Sequence, residues 1–141
     1  MGVTIKSKNY SADMGYNGFN RLRLKVAELT NSELFEHYKE LNDAMFLHGE
    51  SRDIFFQNYN KKISEIEENY NIKRGVLDFL YASDCNGYIP FTKCKHILSV
   101  INNYNDYALY GYIGREDCAT FNDFKLIIND CVDNKCKMEW F

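Results

Sequence analysis

The chain opens on a loose alternation of apolar and polar residues, VTIKSKNYSADMGY over 3–16, with no stripe of helical period. This pattern predicts one or two short strands ending at Gly15. From Asn17 the period changes: Leu22, Val26 and Leu29 recur at helical spacing, with Asn17 or Asn20 placed to cap the first turn. Thr30-Asn31-Ser32 breaks that helix, and a second begins at Ser32 with Leu34, Tyr38, Leu41 and Met45 as its inner side, giving a helical hairpin. After His48-Gly49-Glu50-Ser51, the residues Ile54, Phe55, Tyr59, Ile63, Ile66 and Tyr70 form the longest regular stripe, a third helix ended by Asn71. Val76, Leu77, Leu80 and Tyr81 mark a short fourth helix. Pro90 holds Tyr88-Ile89 extended, and a fifth helix from Thr92 turns Ile97, Leu98, Ile101 and Tyr104 inward. Residues 107–114, YALYGYIG, are β-prone aromatics between glycines; a sixth helix from Thr120 buries Phe121, Phe124, Ile127, Ile128 and Cys131, and KCKMEWF alternates as a terminal strand. The expectation is a mostly helical α+β fold of about six helices, with a small sheet from the N-terminal, 107–114 and C-terminal segments.

Composition narrows the class. At 141 residues, 45% apolar and 16% aromatic, with no low-complexity linker, the chain is expected to be a single globular domain over 1–141. A net charge of −3, balanced over residues 1–75 and −3 over 76–141, does not suit a polybasic binder of duplex DNA. No apolar run approaches the roughly 20 residues of a membrane span, and Lys6 stands where a myristoylation motif needs Ser or Thr. A cytosolic protein is expected. Five cysteines without a C-x-x-C pair argue against a disulfide framework and against structural zinc, leaving free thiols.

Candidate chemistry is sparse. SDCNGYIPFTKCKHIL is like the second half of an EF-hand loop, yet Ala82 and Lys93 fall where the two main carboxylates belong, so a turn pinned by an Asx motif and Gly87 is expected in place of a calcium site. No metal and no cofactor are expected. His37 reads as part of a solvated helix face and His96 as a satisfied, partly buried histidine; no nucleophile signature accompanies them, and no catalytic residue is assigned. Two glycine-aromatic-arginine segments are more suggestive. In GYNGFNRLR and YGYIGR, glycines admit backbone N–H groups to an anion, arginine forks match phosphate oxygens, and aromatic faces stack on a base. Tyr16, Phe19, Arg21, Arg23, Tyr112 and Arg115 are therefore the candidate ligand-binding residues. The bland reading of the same residues is turns, core edges and surface ion pairs. Trp140 and Phe141 either close the sheet over the core or anchor a partner, with the first favoured.

The abundance of Asn, Lys, Ile, Tyr and Phe, with a single Pro, points to AT-rich coding and a low-GC bacterial source. The segments YSADMGYNGFNRLR, DFLYASDCNG, YGYIGREDCATFNDFK and DCVDNKC resemble those of small uncharacterised proteins carried by phages and other mobile elements of low-GC Gram-positive bacteria. The resemblance implies action by binding in the host cytosol. The leading expectation is a non-enzymatic counter-defence protein that sequesters a nucleotide-like signalling ligand. The alternative is an inhibitor of anti-CRISPR type that occludes a host defence protein through an acidic, Tyr-rich surface in residues 76–141, and a small-ligand enzyme is the third. Oligomerisation stays open.

Overall fold

A computed structural model describes residues 2–112 and 114–141. Strands β1 (Gly2–Lys6) and β2 (Ser11–Gly15) form a hairpin, and all-helical chain follows: α1 (Tyr16–Thr30), α2 (Ser32–Lys39), a 3-10 segment (Glu40–Phe46), α3 (Gly49–Tyr70) and α4 (Arg74–Tyr81). Then come β3 (Gly87–Ile89), α5 (Phe91–Ile101), α6 (Phe121–Asn134) and β4 (Met138–Trp140). The four strands make one antiparallel sheet in the order β2-β1-β4-β3, so the fold is α+β and mostly helical. Register puts Val3 opposite Met14 and Ile5 opposite both Ala12 and Trp140, and these five side chains turn to the same buried face. Buried residues from every strand and every α-helix join in one apolar cluster around Phe19, Phe79, Phe124 and Trp140.

Local signals place most boundaries. The Asn31 side chain accepts from the backbone N–H groups of Glu33 and Leu34 and starts α2. Asn71, at φ 52°, ends α3 in the left-handed conformation. Thr120 and Asp123 form a reciprocal capping box at the start of α6, where all five expected inward residues are buried. Trp140 is buried, its indole N–H donating to the Ser83 carbonyl at 2.9 Å, while Phe141 is exposed.

Several expectations need correction. α1 starts at Tyr16 directly after Gly15, with no side-chain cap, because β2 runs straight into it and Asn17 and Asn20 both lie inside the helix, past the cap position. Leu41 is half-buried and Met45 is 72% exposed, because α2 stops at Lys39 and the tighter 3-10 winding rotates the later residues off the helical stripe. Of the α3 stripe only Tyr59 and Ile66 are buried. The described part of 107–114 adds no strand to the sheet; it makes one isolated bridge, Leu109 to Thr120, and Ile113 lies outside the described residues. β3 takes the remaining sheet edge instead, paired with β4. The 83–87 turn is pinned by the Ser83 hydroxyl accepting from the Cys85 N–H, not by an Asx motif. His37 is buried, not solvated: its ring stacks on Tyr59 with centroids 3.8 Å apart.

Candidate functional site

Residues 16, 19, 20 and 23 of α1 lie three or four apart and share one face of the helix. On α3 the positions 52, 56, 59, 60 and 63 do the same. The two faces look at each other across a groove of about 800 Å³, walled by Tyr16, Phe19, Asn20 and Arg23 on one side and by Arg52, Phe56, Tyr59 and Ile63 on the other. The hairpin of α2 and the 3-10 segment adds Tyr38, Leu41 and Met45 to the lining, and the end of α4 with the chain after it adds Tyr81, Ala82 and Asp84. Such a volume is in the range of small-molecule sites, and aromatic walls with a few polar groups are their usual lining.

Arg23 dominates the electrostatics. Its side chain is 4% exposed, and its guanidinium lies 4.8 Å from the Phe19 ring centroid, 5.7 Å from Phe79 and 5.9 Å from Trp140. Nε and Nη2 donate to the Phe79 carbonyl at 3.0 and 2.7 Å, and Nη2 also donates to Ala82. Those carbonyls belong to the C-terminal turn of α4, where free C=O groups and the helix dipole favour a cation. Among the described residues no carboxylate pairs with Arg23; burial lowers its pKa, and the neighbouring Tyr38 and Asp84 partly oppose that. The groove thus has a fixed positive charge that no acid within salt-bridge distance cancels. At the outer rim Arg52 donates to the Ala44 carbonyl at 3.2 Å and lies over Phe56 at 4.9 Å.

A tyrosine cluster lines the floor. The Tyr59 hydroxyl is buried and hydrogen-bonds to none of the described residues; burial first, and Tyr81 next, push its pKa up. Tyr81 has its pKa pushed up to about 12, mainly by burial, and its hydroxyl lies 3.4 Å from His37 Nδ1. All three groups are neutral at pH 7, since burial also lowers the pKa of His37, with Glu40 opposing and Lys62 adding to the shift. The floor therefore offers hydroxyl donors without negative charge.

The six residues singled out in the sequence divide. Tyr16, Phe19 and Arg23 meet in the groove, although Phe19 is fully buried and belongs to the core wall behind it. Arg21 lies elsewhere on α1, donating to the Leu109 carbonyl at 3.3 Å and stacking over Tyr110. Tyr112 and Arg115 line a separate hollow of about 460 Å³ with Asp13, Glu116, Asp117 and Asp123, where Arg115 forks onto Asp117 at 2.9 and 2.7 Å. Four carboxylates against one guanidinium repel an anion, so the second glycine-aromatic-arginine segment does not extend the positive site. Arg52, Phe56, Tyr59 and Tyr81 are groove residues that the sequence reading missed. Their trace was present in the α3 stripe, which mixes Arg and Asn among its aromatics at 52, 56, 59 and 60 as a stripe wholly committed to the core does not. Among the described residues no group of three or more His, Cys, Asp or Glu is placed to hold a metal ion, and the five cysteines are free. No family model matches the chain, and neither does any curated protein or solved structure with which it was compared.

Proposed function

We propose that the groove between α1 and α3 binds a nucleotide-like anion and that the protein acts by holding this ligand, as a counter-defence factor that sequesters a signalling nucleotide would. The observation that carries the reading is Arg23, a buried guanidinium on the groove wall with no carboxylate partner among the described residues. Arg52 at the rim is the second phosphate contact, Tyr16 and Phe56 are the stacking faces, and the Tyr59 hydroxyl donates to a ligand oxygen. The role is one of capture, not turnover. Calorimetry against a panel of mononucleotides and cyclic dinucleotides should give heat and a raised melting temperature, and mass spectrometry of denatured protein should show what co-purifies. Arg52→Ala, at an exposed position, should weaken binding by about 1.5–3 kcal/mol, the range for hydrogen bonds to charged groups. Absence of heat and of thermal shift across the panel defeats the reading, and conversion of a panel member to product replaces it with an enzymatic one.

One observation favours a second reading, an inhibitor that occludes a defence protein. Phe46 is 80% exposed and Met45 72%, side by side on the 3-10 segment. Exposed apolar groups of this size are typical interface anchors. The acids of residues 76–141 are less available for that purpose: Asp78, Asp106, Asp117 and Glu139 are paired with cations, while Asp123 and Asp130 hold internal hydrogen bonds.

A further inference from the structure

The α1–α3 groove does not end at Tyr81. A second cavity of about 640 Å³ lies between α3, α4, β3 and the start of α5, and it shares Asn60, Ile63, Tyr81 and Ala82 with the first. The two adjoin along these shared walls and, taken together as one channel, follow α3 from Arg52 to Ser64, about 18 Å at a rise of 1.5 Å per residue. The far half has its own cations, Arg74 and Lys93, which share the carboxylate of Asp78, Arg74 also reaching Glu67 at 3.4 Å. It also has its own stacking face, Tyr88, which is 63% exposed. Over the whole channel four cations, Arg23, Arg52, Arg74 and Lys93, stand against two lining carboxylates, Asp78 and Asp84, and Glu67, which Arg74 reaches from the edge. A positive lining in a chain of net charge −3 is a segregation of charge, and it concentrates field in the cleft.

We infer that the channel takes a short single-stranded oligonucleotide, with phosphates at the Arg23–Arg52 and Arg74–Lys93 ends and bases against Tyr16, Phe56 and Tyr88. This rests on the nucleotide reading above and extends it from one nucleotide to several. Stacked nucleotides advance about 3.4 Å each, so about 18 Å holds at most about five. Aromatic faces spaced between cations are what a single strand needs and what an acidic peptide does not use.

The test is a length series of 5′-labelled oligothymidylates from one to eight nucleotides, titrated by fluorescence anisotropy with wild type, Arg52→Ala, Arg74→Ala and Lys93→Ala, each first checked for an unchanged melting temperature. Affinity should rise at least tenfold between one and four or five nucleotides and then level off. Arg74→Ala and Lys93→Ala should each lose about tenfold on the tetramer while leaving thymidine monophosphate unaffected, and Arg52→Ala should weaken both. The logarithm of affinity for the tetramer should fall with the logarithm of salt at a slope near −1.4 to −2.1, for two or three neutralised phosphates. Mononucleotide binding that depends on Arg52 with a flat length series overturns the inference and keeps the nucleotide site. No binding at any length overturns both. Equal affinity for a labelled oligoglutamate overturns the assignment to nucleic acid.

Discussion

Arg23 ties α1 to the end of α4, so the same side chain that charges the groove also holds the fold. Replacing it with Met keeps most of the apolar stem but leaves the Phe79 and Ala82 carbonyls without their donor, and each unsatisfied buried acceptor costs about 1–3 kcal/mol. Arg23→Met should therefore lower stability by about 2–4 kcal/mol in urea unfolding, and Arg23→Lys should restore little of it, because an ammonium cannot reproduce the fork. A fully stable Arg23→Met would show that the carbonyls find other donors. His37 gives a pH dependence of definite sign. Its pKa in the folded protein lies below the ordinary 6.5, so the unfolded chain binds the proton more readily. The contribution of its neutral form is present above pH 6.5 and declines as pH falls through 6.5 toward the folded value. Wild type should lose melting temperature between pH 7 and pH 5 more steeply than His37→Phe, which keeps the stack on Tyr59. Asp130 acts in a lower window: hydrogen bonds, led by that from Ser7, pull its pKa to about 2, so its contribution is lost only between about pH 4 and pH 2. Equal slopes for wild type and His37→Phe above pH 5 would remove His37 as the cause.

At the level of elements, α3 and the β3 turn are opposite cases. α3 runs 22 residues yet buries only Tyr59 and Ile66, so its first half is held by little apolar area. Backbone amides of residues 50–58 should exchange with deuterium orders of magnitude faster than those of α6, which buries six residues over 14. Addition of a bound oligonucleotide should slow them. Comparable protection in the two helices without ligand would mean that α3 is fixed by contacts beyond those described. The β3 turn is tight. A Cβ at Gly87 would press into the six-membered ring of Trp140, a side chain clamped by its bond to Ser83 and by the Phe19 and Phe79 rings. Gly87→Ala should destabilise by about 1–3 kcal/mol, the cost of overpacking a filled core, read as a lowered urea midpoint.

Over the whole molecule, Trp140 joins the last strand to α1 and α4, and it is the only tryptophan in the chain. One aromatic cluster linking β4, α1, α4 and α6 predicts that Trp fluorescence and far-ultraviolet dichroism follow a single urea transition. A fluorescence midpoint well apart from the dichroism midpoint would show that the sheet and the helices separate. The net charge of −3 conceals the organisation that bears on function, because the channel along α3 is positive and the hollow beneath Arg115 is negative. Charge counted by halves of the chain does not register this, since Arg23, Arg52, Arg74 and Lys93 come from four different helices.

What the sequence determined by itself is local. Asn31, Asn71 and Thr120 set helix ends because a cap acts within four residues, and the α6 stripe reports burial because its whole inner face meets the core. The class, mostly helical with a small sheet, follows from the periods. The tertiary structure alone decided the rest. YALYGYIG has strand-like composition, yet the sheet edge it could have used is filled by three residues at Gly87–Ile89, whose pairing with Met138–Trp140 depends on how α4 and α6 deliver them. Met45 left the inner side because the winding tightened after Lys39. Arg23 is an ordinary basic residue in α1 until Phe79 and Trp140, 56 and 117 positions further on, enclose it. Its companion across the groove is Arg52 and not Arg115, because α3 forms the wall facing α1 while the 115–118 turn lies among acids beside β2. Spacing along a chain encodes which side chains share one helix face, but the meeting of two faces is settled by how the helices pack.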